Sequence, residues 1–446
     1  MTETLQPQEV HGEIRRAHGR FAAMVVTYGL GVFNDSFYRT AAVLLANAVV
    51  WQGQAGGLSA LPGWLQAMPL WVQKGLPGAI MAMFTLPYLL FASPAGWLAD
   101  RFAKRRVVIG AKLLELAAML CGAYGLLAWD WNFILAMVFL MGLQSCIFSP
   151  ALNGSIPELY PASYVQRANG VLKVAITAMI LAGVSASGPA LDVAGTGWLG
   201  IPAGRWTVAI GAVSVSLLGV LVSLAVPYGP AANPHGRLSR KGPLDTLGQL
   251  RAISRDRLLR AIVTTNVYIW FAGSFLATVV LLLGPNQLGL SNSRTSLLVG
   301  VEMIGVALGG VASGRVVVGR RWFRALPRAV LALALLLLLS PLLPLIGSNA
   351  WQFAAALVLL GLVGISGGLA LVPCEAFIQI RPPAERKGAV IASANFAVFA
   401  GILVSSPIAN GLVLLMPPAT VMAVFGGASL LVAAGLERKL SREGLV

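Results

Sequence analysis

The chain has 446 residues, of which 57% are hydrophobic and 11% are charged, and its mean hydropathy is +0.80. Soluble domains carry about 25% charged residues, so this chain has too little charge to solvate a globular surface. The composition excludes a soluble domain and indicates a membrane protein with several spans. The net charge of +16 could suggest a nucleic-acid partner, but the placement of the cations argues against one.

Twelve apolar segments each come close to the ~20 residues that a membrane-spanning helix needs. The predicted spans are residues 21–48, 77–99, 105–127, 131–150, 167–188, 206–227, 262–285, 293–315, 325–346, 351–372, 386–410 and 417–435. A connector at 229–260, rich in Pro, Gly and Arg, divides them into six plus six. We therefore predict an all-α membrane protein with an N-terminal six-helix bundle (1–228) and a C-terminal one (261–446), the arrangement of alternating-access transporters.

Lys and Arg are concentrated in every second connection between the spans. The first short turn carries four cations between residues 101 and 106, whereas the loops on the opposite side hold only Lys74, Arg205 and Arg294. Basic short loops stay on the cytoplasmic side of a membrane. We therefore expect both termini in the cytoplasm, and no nucleic-acid partner.

The turn between spans two and three has the spacing Gly-x-x-x-Asp-Arg-x-x-x-Arg, beginning at Gly96. Gly96 is expected to let a neighbouring helix come close, and Asp100 to pair with a cation or cap a helix end. Arg101 and Arg105 are expected to hold the adjacent helix end when the cytoplasmic face closes. A related stretch places Arg315 at the matching turn of the second half. The alternative is a basic loop that only sets topology.

Ionisable side chains inside the spans are expected to face a cavity or a partner, because a charge at mid-bilayer costs about 2.5–3.5 kcal/mol on insertion scales. Six such residues are present: Asp35, Arg39, Lys112, Glu115, Lys173 and Glu302. All but Lys112 are predicted to bind substrate together with Asn34. Lys112 is assigned to gating.

These charged residues each have two interpretations, one functional and one structural. Asp35 and Arg39 lie one helical turn apart, so they either meet a polar headgroup, with Arg39 suited to a phosphate, or neutralise each other. Lys112 and Glu115 form an i,i+3 pair that is either a gate or a brace. Glu302 is a candidate proton carrier or an inter-helix hydrogen-bonding group.

The outer connection at residues 49–76 is longer than the others and contains amphiphilic pieces around Leu61–Trp71. It is either a surface helix lying on the outer leaflet or a packing lid. The sequence favours neither alternative.

Five stretches together resemble the bacterial lysophospholipid transporter branch of the major facilitator superfamily. They are Leu30–Ala41, Gly96–Arg106, Phe148–Ala151, Arg167–Gly170 and Gly367–Pro373. The resemblance implies a flippase-like inner-membrane carrier that moves lysophospholipid inward for reacylation, with Asn34 and Asp35 contacting the headgroup. The acyltransferase of that family would be a separate protein here. The chain departs from the family pattern at Leu152, Lys173 and Glu375, so a different amphiphile or a small anion remains an alternative substrate.

Two other interpretations remain. One is a proton-coupled carrier of a small molecule such as a drug or siderophore, and the other is a sensor or scaffold in the membrane. No nucleophile–base pair or metal cluster is evident, so we expect no enzymatic activity and no cofactor. We also expect a monomer.

Overall fold

The computed structural model describes residues 7–160, 162–226, 231, 234, 255–316, 322–381 and 387–442. Within these ranges the long elements are all helices. They are α1 (Pro7–Val50), α2 (Leu76–Arg101), α3 (Lys104–Ala128), α4 (Trp131–Leu159), α5 (Ala162–Leu191), α6 (Ala203–Ser223), α7 (Arg257–Gln287), α8 (Asn292–Val316), α9 (Trp322–Leu338), α10 (Asn349–Ile380), α11 (Lys387–Leu415) and α12 (Pro418–Arg442). The shorter pieces are Gln54–Ala60, Gly63–Gln66, Leu70–Lys74, Trp198–Gly200 and Ser340–Leu345.

Ten helices in the described part are long and apolar enough to cross a membrane, and Leu76–Ala92 of α2 is a shorter apolar segment. α1 is not in that set, and its middle carries Asn34, Asp35 and Arg39. The predicted all-α architecture of membrane helices is confirmed.

Two predicted spans ended too early. Span four was expected to stop at Pro150 and span ten just before Pro373, but α4 continues to Leu159 and α10 to Ile380. An interior proline removes one backbone hydrogen bond, and membrane helices tolerate that loss where neighbouring groups satisfy the freed carbonyl.

The chain divides into two compact units. Unit 1 comprises Met1–Arg39, Leu86–Gly183 and Val193–Gly242, and unit 2 comprises Thr40–Thr85, Val184–Asp192 and Pro243–Val446. Parts of α1, α2 and α5 thus group with the second half of the chain. The predicted boundaries at 1–228, 229–260 and 261–446 stay a prediction, and most of the connector lies outside the described residues.

Unit 1 has an apolar core where α1, α3, α4 and α5 meet. It includes Phe21, Val108, Phe148, Leu152 and Leu172, all buried. Burial of such side chains contributes about 1.5–3 kcal/mol each. This core is the scaffold beside which the polar residues of α1, α3 and α4 are arranged.

Unit 2 has its own apolar core, formed by α7, α9, α10, α11 and α12 around Ile262, Leu326 and Cys374. Beside it, α8 and α10 pack backbone against backbone. A Cβ at Gly309 would collide with the carbonyl oxygen of Ile365, so only glycine fits there. The glycines of α8 therefore allow the two helices to pack closely.

Candidate functional site

Asn34 connects three helices of unit 1. Its Nδ2 donates to the carbonyl oxygen of Ala212 on α6 at 3.0 Å and to Glu115 Oε1 on α3 at 3.4 Å. Glu115 Oε2 in turn lies 2.7 Å from Lys112 Nζ. The exposed fractions of Asn34, Lys112 and Glu115 are 0%, 1% and 0%, so these groups form a buried network. Within it, Asn34 Oδ1 has no hydrogen-bond partner among the described residues.

The ammonium of Lys112 sits in a space that two glycines leave open. A Cβ at Gly31 of α1 would lie 2.7 Å from Lys112 Nζ, and one at Gly219 of α6 would lie 3.3 Å from it. The ring centroid of Phe148 is 5.6 Å from the same nitrogen, within cation–π range. The predicted i,i+3 pair of Lys112 and Glu115 is therefore present and enclosed by four helices.

Asp35 is held by α4 of the same unit. Gln144 Nε2 donates to Asp35 Oδ1 at 3.2 Å, and Ser145 Oγ donates to Asp35 Oδ2. Gln144 also donates to Ser145 Oγ at 2.7 Å, so the three side chains form one cluster. Sequence reasoning missed Gln144 and Ser145, although two adjacent polar residues inside an apolar span were a usable signal.

Of the remaining predicted substrate residues, Arg39 and Glu302 have described side chains and Lys173 does not. Arg39 is half-buried, one turn beyond Asp35 at the end of the first part of unit 1. Glu302 is buried on α8 in unit 2, and its Oε2 has no hydrogen-bond partner among the described residues. The side chain of Lys173 lies outside the described residues. A common substrate cavity for the six predicted residues stays a prediction.

The structure describes the surroundings of two predicted gating residues, Gly96 and Arg105. A Cβ at Gly96 would meet no heavy atom within 4 Å in the described part of the chain, so the expected close helix approach is not found there. Arg105 Nη2 donates to the carbonyl oxygen of Leu224 at 2.8 Å. Because Leu224 is the C-cap of α6, Arg105 contacts the end of an adjacent helix. Its expected role in closing the cytoplasmic face stays a prediction.

Of the other predicted gating residues, the structure describes the side chain of Arg101 but not those of Asp100 and Arg315. The guanidinium carbon of Arg101 lies 5.6 Å from the ring centroid of Trp97, one turn earlier on α2. Asp100 and Arg315 fall within α2 and α8, but their side chains lie outside the described residues. Their gating role stays a prediction.

Leu152, one of the three departures from the family pattern, is 1% exposed and belongs to the apolar core of unit 1. A lysine at this position would bury an ammonium among Phe21, Phe148 and Leu172, at the cost of an unpaired charge. The side chain of Leu152 therefore packs in the apolar core of unit 1. Glu375 is half-buried on α10.

Unit 2 contains polar contacts that sequence reasoning did not single out. Asp192 at the end of α5 accepts hydrogen bonds from Asn292 Nδ2 at 2.9 Å, from the Ser293 amide at 2.8 Å and from Ser293 Oγ at 2.5 Å. It thereby satisfies the start of α8. Asn286 Nδ2 of α7 likewise donates to Asn47 Oδ1 of α1 at 2.9 Å. These contacts join helix ends from both halves of the sequence within one unit.

A family model described as Major Facilitator Superfamily matches residues 24–406. This match spans most of the helices described above. The chain belongs to the major facilitator superfamily. It is accordingly a multi-pass membrane protein of a transporter family.

Two curated proteins that are similar to this chain are both named as lysophospholipid transporters. Lysophospholipid transporter LplT of Escherichia coli (strain SE11) is 26% identical over 368 residues, covering 80% of this chain and 80% of the relative. The protein of the same name from Enterobacter sp. (strain 638) is 29% identical over 316 residues, covering 68% and 70%.

Solved structures of the superfamily share the fold. A crystal structure of a D-xylose-proton symporter aligns with a TM-score of 0.68 at 17% identity, covering 93% of this chain and 96% of that one. A crystal structure of a mutant of the nucleoside transporter NupG aligns with a TM-score of 0.65 at 11% identity, covering 94% and 99%. At this identity the similarity shows the fold alone.

Proposed function

We propose that this protein carries lysophospholipid across the bacterial inner membrane by alternating access. The observation that carries the proposal is the similarity to lysophospholipid transporters over 80% of both chains. Transport is inward, both termini are cytoplasmic, and the protein acts as a monomer. It is not an enzyme, so reacylation belongs to a separate acyltransferase.

The polar groups of unit 1 support this proposal. Asp35 is an acidic and Arg39 a basic residue, one turn apart on α1, in the unit that also buries Asn34, Lys112 and Glu115. Intramembrane charges are costly and commonly mark substrate pathways. A zwitterionic headgroup offers an ammonium for Asp35 and a phosphate for Arg39, while its single acyl chain stays in an apolar environment.

The test is uptake of labelled lysophosphatidylethanolamine into proteoliposomes. We expect Asp35→Asn to lower the initial rate at least tenfold while the protein stays folded, because the amide can still bond α4 but has no charge for the headgroup. Asp130→Asn is the matched control, since the Asp130 carboxylate accepts hydrogen bonds only from Asn132 among the contacts described. Equal rates for wild type and Asp35→Asn would refute the assignment of Asp35.

A second candidate function is proton-coupled transport of a small molecule. The observation that favours it is Glu302, a buried carboxylate whose Oε2 has no partner in the described part of the chain. Under this alternative, a protonophore and Glu302→Gln would each abolish transport, and lysolipid would not compete. Uptake of lysolipid that is unaffected by a protonophore would exclude it.

A further inference from the structure

The outer connection between α1 and α2 presents a large apolar surface. Residues 52–73 contain no charged side chain. The exposed fractions of Trp64, Met68, Leu70 and Trp71 are 53%, 45%, 53% and 66%. We name these four side chains the outer platform. In water such a group would be costly, because each exposed apolar Å² costs about 25 cal/mol relative to burial.

Two glutamine side chains fix the backbone conformation of the segment that carries the platform. Gln66 Nε2 donates to the carbonyl oxygens of Ser59 and Leu61 at 3.0 and 2.6 Å. Gln73 Nε2 donates to those of Gln66 and Met68 at 3.0 and 2.8 Å. Both glutamine side chains therefore bond the backbone of the segment, and the large apolar side chains of the platform are exposed.

Prolines and apolar anchors fix the two short helices of this segment. Pro62 precedes the helix Gly63–Gln66, and Pro69 precedes the helix Leu70–Lys74. Leu61 and Leu65 are buried on the inner side. The platform is thus the outer side of an ordered amphipathic segment, which is typical of interfacial helices.

The segment is continuous with a membrane span and is tied to a second one. Its last helix leads directly into α2, whose apolar part begins at Leu76. Asn410 Nδ2 of α11 donates to the carbonyl oxygen of Lys74 at 2.8 Å. Lys74 Nζ also lies 5.0 Å from the ring centroid of Trp51. A cation and several tryptophans at one end of a span are the usual composition of a membrane–water interface.

We propose that the outer platform lies in the outer leaflet, with phospholipid as its occupant. Trp64, Leu70 and Trp71 contact the upper acyl chains, and Lys74 contacts lipid phosphates. The outer connection is then a surface segment in lipid and not a lid exposed to water. This proposal holds whichever molecule the protein carries, so it can fail or succeed apart from the transport assignment.

The test is site-directed spin labelling of the full-length protein in phospholipid nanodiscs. Labels at Trp64→Cys and Trp71→Cys are compared with Ile210→Cys, an exposed apolar position of α6, and with Arg438→Cys, an exposed cationic position of α12. The native cysteines at 121, 146 and 374 are first replaced by Ser or Ala. Monodispersity of each variant verifies that it folds.

Collision with oxygen should exceed collision with a water-soluble nickel chelate at residues 64 and 71, as at Ile210. A nickel preference at both sites, like that at Arg438, would mean a water-exposed lid and would overturn the proposal. Low accessibility to both reagents would mean a protein neighbour or a second copy of this chain, and would overturn it as well.

Discussion

Two regions of the molecule bring helices together by opposite means. In unit 1, α1, α3 and α6 meet through the buried side chains of Asn34, Lys112 and Glu115. In unit 2, α8 and α10 meet through glycines, with almost no side chain between the two backbones. A Cβ at Gly364 would collide with the carbonyl oxygen of Glu302.

The difference shows which kind of change each region tolerates. The network of unit 1 depends on charge balance, because removing one partner leaves the other charge buried. The contact of unit 2 depends on volume, because a single methyl group collides with a carbonyl. Charge substitutions should therefore act mainly on unit 1, and small increases in size mainly on unit 2.

The largest expected effect is that of Lys112→Ala, which leaves the Glu115 carboxylate buried beside Asn34. Breaking a buried ion pair from one side typically costs about 3–5 kcal/mol. We expect the unfolding midpoint in detergent to fall sharply. Adding Glu115→Gln should recover a large part of the loss, because the amide needs no counter-charge. Equal midpoints for the single and double variants would contradict the charge-balance account.

The second-largest expected effect tests whether the contact between α8 and α10 depends on side-chain volume. Gly364→Ala should destabilise the protein by about 1–3 kcal/mol, the usual range for overpacking. Gly367→Ala on the same helix is the matched control, since its Cβ would lie 3.9 Å from the nearest side-chain atom, Val306 Cγ2. Thermal unfolding of both variants measures the difference. Two equally mild substitutions would mean that α8 and α10 are farther apart than described.

A third, smaller effect concerns Asp192, whose carboxylate receives three hydrogen bonds at the start of α8. Losing a helix-capping side chain typically costs ~1 kcal/mol. We expect Asp192→Ala to lower the unfolding midpoint modestly, and Glu437→Ala, at an exposed position of α12, to leave it nearly unchanged. If the two variants unfold at the same temperature, the contact between α5 and α8 contributes little to stability.

The smallest effect is a pH dependence at the start of α7 in unit 2. Burial alone would raise the pKa of Asp256, but the Leu259 amide and the guanidinium of Arg381 outweigh it, so this pKa lies below its ordinary value of 3.8. Arg381 Nε lies 3.1 Å from Asp256 Oδ2, and both side chains are partly exposed. The carboxylate therefore stabilises the fold above its unfolded-state pKa, and the contribution disappears as pH falls through the lower folded-state pKa.

Unfolding midpoints measured from neutral pH down to below pH 4 should show this loss in the wild type. Asp256→Asn should flatten that part of the curve, because the amide does not titrate. A profile for Asp256→Asn that is parallel to the wild type would show that other carboxylates cause the acid sensitivity.

The sequence predicted the helices well, because most of the spans are long apolar runs. It also predicted the Lys112–Glu115 pair, because i,i+3 contacts are local. It did not predict that Asn34 bonds the Ala212 carbonyl or that Asp35 bonds Gln144 and Ser145. Those contacts depend on which helices are neighbours and on how each is rotated, and neither is encoded in local spacing.

The helix ends beyond Pro150 and Pro373 were missed for a different reason. Proline is a strong stop signal in soluble helices and a weak one in membrane helices. The close approach expected at Gly96 is not found among the described residues, because a glycine permits a close approach but does not require one.

The most direct test of the proposed function is the initial rate of labelled lysophosphatidylethanolamine uptake by wild-type protein in proteoliposomes, compared with protein-free liposomes. We predict protein-dependent uptake that saturates with substrate and is reduced by unlabelled lysophosphatidylethanolamine. Uptake equal to that of the protein-free liposomes, from a preparation shown to be folded and inserted, would contradict the proposal.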